Sequence, residues 1–412
     1  MKSSTLIYSN HPAFSNLTDA LPLSSSHVDE FNICYDLAEK RGDLFKYGDF
    51  TNHLQNLLKN IFDDLEASAR KKGDDNLRLF LRELYFNASQ LLMRDLQEKL
   101  LCSENYLRIY DSKELCAQSH LQTNQMINNK YFNGVISDSV LQQIKSLAKP
   151  EIERLRDNHL SGKIDRESLS ANSGEYISQI VNIINTEFER IGVNHSVSIY
   201  CSRPMYVGGL GLELSVPNAT WWKDDYACRS NSPKTLYMHT DESIGIPKAI
   251  VYLTDVSEDN GAFSTVPNAL NLISPSPLQL LLGRIIGSVG RHSDSVLYNF
   301  YQHHYHKAFG CPKYRKHFMS LPEELQYNSH FGWDVVPNSS LEKDLIAQEV
   351  VHCGKAGFYT VFDGSSLVHR GGLVRCGERV ALQVLFIPFV KPTLKRRLAS
   401  KTKSLIKKFI SK

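Results

Sequence analysis

Hydrophobic positions in the first third of the chain recur at the spacing of a helix. Leu54, Leu57, Leu58, Ile61, Phe62 and Leu65 share one face, and Leu77, Leu81, Leu84 and Leu92 carry the pattern through "DDNLRLFLRELYFNASQLLMRDLQEKLL". This predicts a helical accessory region over 31–125, without a catalytic signature. Residues 1–30 are Ser-rich and weakly patterned, which predicts a loose terminus. From Tyr131 the texture changes. Ser137 is a candidate N-cap for a helix with Val140, Ile144 and Leu147 on one face. A second helix is predicted over 174–191 from Ile177, Ile180, Ile184 and Phe188, with Gly192 closing it. Short β-type runs follow: "VSIYCSRPMYV", "LGLELSVP", "TLYMHT", "KAIVYLTDV", "AFSTVP", "GFYTVFDG" and "RVALQVLFIPF". Gly, Pro, Asn and Asp punctuate them, and short strands with such turn signals point to a sandwich or barrel.

The 412 residues suffice for one large domain or two ordinary ones with a sizeable core. No apolar run reaches the length of a membrane span, and the N-terminus lacks the apolar stretch of a signal peptide. The eight cysteines are scattered without a Cys-x-x-Cys pair, so reduced thiols and a cytoplasmic location are expected. Charge changes one part of this picture. The segment 391–412 holds nine Lys and Arg and no acidic residue, while the rest of the chain is net negative. Leu394, Leu398, Leu405 and Phe409 lie near helical spacing within it. A basic amphipathic helix of this kind suits an anionic membrane surface, with a solvated, frayed end as the alternative. No nucleic-acid-reading motif accompanies it, so no nucleic acid partner is expected.

The candidate chemistry begins with His-x-Asp, which occurs three times: His27-Val28-Asp29, His239-Thr240-Asp241 and His292-Ser293-Asp294. The first sits in the weakly patterned terminus and reads as surface. The third falls in a long stretch, about 270–350, that reads as an insert shaping a substrate entrance. His303, His304 and His306 fall there too; a second metal site is one reading of them, and a solvated insert is the plainer one. His239-Thr240-Asp241 differs because it ends the β-type run Thr235–Asp241, and residues two apart on a strand share a face. His369 ends another β-type run downstream. If the Gly-rich stretch after it is a symmetric hairpin centred near Val374, Arg379 lies opposite His369 on the same face. Two imidazoles and one carboxylate with open positions form the donor set of non-haem Fe(II) oxygenases. A nearby guanidinium offers a two-pronged donor to a carboxylate. Tyr237, Tyr252 and Gln383 share the alternation of these strands and read as interior packing or substrate contacts. Trp221 and Trp222 read as core or pocket lining.

With "HTD" at 239–241, "YLTDVSEDNGAFSTVP" at 252–267 and "GFYTVFDGSSLVHRGG" through "GERVALQVLF" at 357–386, the chain over 131–390 resembles the phytanoyl-CoA dioxygenase-like family of Fe(II)/2-oxoglutarate-dependent oxygenases. The resemblance implies a mainly β catalytic core, a double-stranded β-helix (jelly-roll, cupin-like) barrel with flanking helices and the helical N-terminal region before it. It implies His239, Asp241 and His369 as iron ligands and Arg379 as the partner of the distal carboxylate of 2-oxoglutarate. It also implies O2 as co-substrate and hydroxylation of an unactivated C–H, with succinate and CO2 released. The carboxylate of Asp241 argues against halogenation, for which relatives carry a small residue there. After Val266-Pro267 the chain departs from the family's usual Gly-Ser-His and reads Asn268-Ala269-Leu270. The expected substrate is a small molecule or a lipid- or glycan-linked one. A non-catalytic or differently metallated barrel that binds a ligand or a membrane partner is the alternative.

Overall fold

The computed structural model describes the chain except residues 1–5, 13, 15–19, 41–47, 111–116, 164–165, 218–232, 287–311 and 389–412. Trp221, Trp222, the His292-Ser293-Asp294 motif, His303, His304, His306 and the basic segment 391–412 therefore lie outside the described residues. No helix among the described residues is long and apolar enough to cross a membrane.

Two antiparallel sheets face each other, with helices around them. The larger holds β1 (Tyr131–Val135), β7 (Phe358–Phe362), β4 (Lys248–Tyr252), β9 (Arg379–Pro388), β3 (Met205–Ser215) and β2 (Ser170–Ala171), in that order. The smaller holds β6 (Val350–His352), β5 (Phe263–Val266) and β8 (Val368–Arg370). Beside β8 the chain adds one isolated bridge, His239 to His369.

Alternation along the strands explains the layers. Leu212 and Leu214 of β3, Ala249 and Val251 of β4, and Val380, Leu382, Val384 and Phe386 of β9 point outward. They pack under the helices α5 (Asp138–Leu160), α7 (Glu175–Arg190) and α8 (Val193–Tyr200). Ile177, Ile180, Ile184 and Phe188 bury the inner stripe of α7, as their spacing predicts. In α5 the buried stripe is Leu141, Ile144, Ala148, Ile152 and Leu155, one position round from the Val140, Ile144 and Leu147 expected. Ser137 caps α5 by position, without a side-chain cap bond. Its backbone N–H donates instead to Glu187 of α7. Gly192 takes the left-handed conformation between α7 and α8, which only a residue without Cβ adopts freely. The run "VSIYCSRPMYV" is not one strand: Val197–Tyr200 finish α8 and β3 starts at Met205.

The N-terminal region is helical, with α1 (Ser25–Lys40), α2 (Gly48–Lys71), α3 (Asp75–Tyr110) and α4 (Ala117–Asn129). The leucines singled out in α2 and α3 are all buried. Two corrections follow. The first thirty residues are not loose throughout, because Tyr8 and Phe14 are buried and His27-Val28-Asp29 lies inside α1. Tyr8 donates to the buried carboxylate of Asp334, which anchors this end. The described part of the insert is also not a solvated addition, because it contributes to two hydrophobic cores. Its helices α10 (Pro277–Ile286) and α11 (Pro312–Met319) share one hydrophobic core with α1, α2 and α3. The segment around Tyr327, Phe331 and Val335, with α9 (Ala269–Ile273) and α12 (Ser340–Ala347), packs instead on Met238, Val266 and Val368.

Between the sheets, the inward positions of β4 and β9 are Lys248, Ile250, Tyr252 and Arg379, Ala381, Gln383. The Tyr252 hydroxyl joins the two sheets by donating to the carbonyl of His352 and accepting from the N–H of Phe263. The His352 ring lies against Tyr131 and Phe263, within hydrogen-bond distance of Thr265 Oγ1 and Asn133 Nδ2. Tyr252→Phe leaves two strand ends without their shared partner and is expected to cost about 1–3 kcal/mol in urea unfolding. Burial pushes the His352 imidazole down to about 4. Below the ordinary histidine value of about 6.5, the unfolded chain takes up a proton that the folded one refuses until about 4. Stability therefore falls as pH drops through that window, by about 3 kcal/mol from His352 when complete. His352→Gln should flatten the pH dependence of the unfolding free energy; an unchanged slope would contradict it.

Candidate metal centre

His239, Asp241 and His369 converge, and their ligand atoms all lie within 4.8 Å of one another. They reach this arrangement by a route that differs from the expected one. The run Thr235–Asp241 is not a strand: residues 234–237 form a turn, and Tyr237 has a positive φ of 65°. Alternation parity therefore does not carry Tyr237 into the site. What fixes the two histidines is a reciprocal pair of backbone hydrogen bonds, His239 N–H to His369 O at 3.1 Å and His369 N–H to His239 O at 3.0 Å. Arg370, the next residue on β8, points the other way. It pairs with Glu349 and donates to the carbonyls of Lys234 and Leu236, which pins the turn that precedes His239.

Asp241 is held from the opposite side. Its N–H donates to the carbonyl of Gly364 at 2.7 Å. Gly364 also makes room for the carboxylate, since a Cβ there would lie 1.8 Å from Asp241 Oδ2. The two imidazoles approach that carboxylate at 3.9 Å (His239 Nε2 to Oδ1) and 3.7 Å (His369 Nε2 to Oδ2). Donors at right angles around one ion with bonds of about 2.1 Å are roughly 3 Å apart, so a small inward adjustment closes the set. The tautomers suit this. His239 Nδ1 lies 2.8 Å from the carbonyl of Tyr237, and His369 Nδ1 lies 2.9 Å from that of Leu367. A carbonyl accepts only, so each Nδ1 carries the proton and each Nε2 presents a lone pair.

The electrostatics favour the same state. Burial pushes the His369 imidazole down to about 3, assisted by His239, and burial also lowers His239. Burial alone would raise the Asp241 carboxyl. Electrostatic interaction with His369, Lys248 and His239 outweighs it and holds the group below the usual carboxylate range. Neutral imidazoles and an ionised carboxylate are the protonation states a metal needs.

Arg379 is where the hairpin expectation fails. His369 belongs to the small sheet, opposite Thr265 of β5, and Arg379 opens β9 in the large sheet, opposite Ser215 of β3. The Gly-rich stretch crosses from one sheet to the other, bridging Val374 to Asn260 on the way. Gly372 permits the crossing, because a Cβ there would meet the carbonyl of Ala262 at 2.2 Å. Arg379 is nonetheless buried. Its guanidinium donates to Ser215 Oγ and to the carbonyl of Gly261, 4.0 Å from Glu213, and among the described residues its Nε has no hydrogen-bond partner. Gly261 lies in the turn before β5, and Thr265, which pairs with His369, lies within β5. Arg379 therefore meets the small sheet at that turn and not at the strand pair that carries His369. Tyr252 and half-buried Gln383 share the interior between the sheets.

Three neighbours were missing from the sequence reading. Lys248 Nζ lies 2.8 Å from Asp241 Oδ2 and forms an ion pair with it. The alternation Lys248, Ile250, Tyr252 carried that signal: a lysine in phase with inward residues. His330 stacks on His239, with ring centroids 4.7 Å apart. Nothing local marked His330 or Gly364. Gly364→Ala is accessible to the backbone but displaces the carboxylate. It should leave the protein folded and weaken Mn(II) or Co(II) binding in calorimetry by at least about tenfold. Undiminished affinity would remove Asp241 from the ligand set.

No family model matches the chain, and no curated protein matches it. Solved structures similar to it include AviO1 from Streptomyces viridochromogenes Tue57, at 11% identity over 68% of this chain and 99% of that one, with a TM-score of 0.37. The non-heme alpha ketoglutarate dependent carbocyclase SnoK from nogalamycin biosynthesis matches at 12% identity over 67% and 88%, with a TM-score of 0.35. EctD from S. alaskensis, crystallised with 2-oxoglutarate and 5-hydroxyectoine, matches at 12% over 68% and 80%, with a TM-score of 0.37. Likeness this distant carries no argument about chemistry, which rests on the side chains described above.

Proposed function

We propose that the chain is an Fe(II)- and 2-oxoglutarate-dependent dioxygenase of the phytanoyl-CoA dioxygenase-like kind, built on a double-stranded β-helix barrel. The observation that carries this reading is the convergence of two imidazoles and a carboxylate between the sheets, with a buried guanidinium in the same interior. His239, Asp241 and His369 bring their ligand atoms within 4.8 Å of one another, and among the described residues Arg379 Nε has no acceptor. A divalent cation completes the first and a carboxylate completes the second. A keto diacid that chelates the metal through one end would offer its other carboxylate to Arg379. The fold supports the barrel, with the His239 bridge as the fourth position beside β6, β5 and β8.

His239, Asp241 and His369 would hold the iron. When bound, it supplies the oxidative step in which O2 and 2-oxoglutarate are consumed and succinate and CO2 are released. The chain's own groups do the rest. Tyr237 and Leu367 hold the imidazole tautomers, Gly364 admits the carboxylate, and the rings of Phe263 and Phe362 against His369 exclude water from that side. The outcome is hydroxylation of an unactivated C–H in a small-molecule or lipid- or glycan-linked substrate. A cytoplasmic setting, with the basic segment 391–412 on a membrane surface, goes with this proposal.

One observation favours a second reading, a barrel that binds ligands without metal: the Lys248 ammonium already neutralises Asp241. The two readings separate under anaerobic conditions. Fe(II) and 2-oxoglutarate added together to the purified protein should give the weak visible charge-transfer band of the chelate, and His369→Ala should abolish it. Folded wild type without a band would overturn the iron and 2-oxoglutarate reading in favour of a barrel that binds ligands without metal or holds a different one.

A further inference from the structure

The loop that leaves Asp241 runs through Glu242 and Gly245 to β4. Two arginines reach its backbone from outside the barrel strands. Arg284 of α10 donates through Nε to the carbonyl of Glu242 at 2.9 Å. Arg203, in the turn before β3, donates through Nη2 to the carbonyl of Gly245 at 2.9 Å. Gly245 has a φ of 69°, so the loop is bent sharply where Arg203 meets it.

Both arginines are buried, and both are held by α3. The Arg284 guanidinium forms a two-pronged pair with Asp95, at 2.7 and 3.0 Å, in which Asp95 is 1% exposed. Arg203 pairs with Glu98, one turn further along the same helix. An isolated buried arginine is costly, and a buried pair is weak evidence for stability in itself. Two such pairs on one face of α3, each with a further donor aimed at the stretch Glu242–Gly245, are better explained by what they hold. Geometry of this kind transmits position: the carboxylate fixes the fork, and the fork fixes the carbonyl.

We propose that the N-terminal helical region sets the geometry of the metal centre, through the relays Asp95–Arg284–Glu242 and Glu98–Arg203–Gly245. Asp95, Glu98, Arg203 and Arg284 are positioning residues. They hold the backbone just beyond Asp241 while Gly364 holds its N–H, so the carboxylate is fixed from both ends. The helical region is then part of the site.

This inference rests on the metal-binding reading above, and the test separates the two. Mn(II) affinity of the full chain is measured by calorimetry, alongside thermal unfolding, for wild type and for Asp95→Asn, Glu98→Gln and Leu58→Ala. Binding by wild type bears on the metal reading alone. Asp95→Asn, which keeps the shape and removes the charge, should weaken Mn(II) by about tenfold or more. Glu98→Gln, at a partly exposed position, should weaken it less while staying folded. Leu58→Ala cuts into the core of the same helices without touching either relay, so it should lower the melting temperature and leave the affinity unchanged. The inference fails if folded Asp95→Asn and Glu98→Gln bind Mn(II) like wild type. It fails equally if Leu58→Ala loses affinity to the same extent, because the effect would then be loss of stability. Should Asp95→Asn not fold, Glu98→Gln against Leu58→Ala decides.

Discussion

The structure turns on two backbone hydrogen bonds between His239 and His369. They join segments 130 residues apart, and everything else in the site is arranged around them. Closing a loop of that length costs on the order of 4 kcal/mol. Two hydrogen bonds contribute about 1 kcal/mol each, net of water. The junction is therefore not held by its own bonds. It is held by the packing on its outer side, where Met238, Val266, Val368, Phe331 and Val335 bury together, and by Arg370, which ties the preceding turn to Glu349. The segment 327–335 supplies that packing and also stacks His330 on His239. The long stretch between the ligands is thus a structural requirement of the site, rather than an addition to it.

This explains what could be read in the chain and what could not. Periodicity is a local property, and it placed α2, α3 and α7 with their buried faces, because those helices bury one stripe against one neighbour. The ligand set was legible because two imidazoles and a carboxylate each ended an apolar run. Register between sheets is not local. The residues from Gly371 to Glu378 are compatible with a tight hairpin or with a crossing, and the difference lies in Gly261 and Ala262, more than a hundred residues away, against which Gly372 passes. The glycine marked a close approach but not its partner. The same holds for Arg284 and Asp95, which form a buried pair across the fold and carry no local mark of one another in the chain. The turn at 234–237 misled for another reason. Its apolar composition suited a strand, but Tyr237 takes a left-handed conformation, so the backbone reverses where alternation would have continued.

The remaining tension in the site is between Lys248 and a metal. Both would seek the carboxylate of Asp241, and an ammonium beside a divalent ion would be repelled by it. One carboxylate can serve both only because it has two oxygens. Oδ1 faces His239, and Oδ2 faces His369 and Lys248. An ion held by all three ligands therefore leaves Lys248 beside it, with half its partner's charge withdrawn. What relieves that repulsion is negative charge on the metal itself. In the proposed reading a dianionic keto acid would bring two carboxylates, which would offer counter-charge to Lys248 and to Arg379, the inward cations of β4 and β9. A metal with only water around it leaves both unmatched, so metal and keto acid should bind with positive coupling, in proportion to the charge each brings.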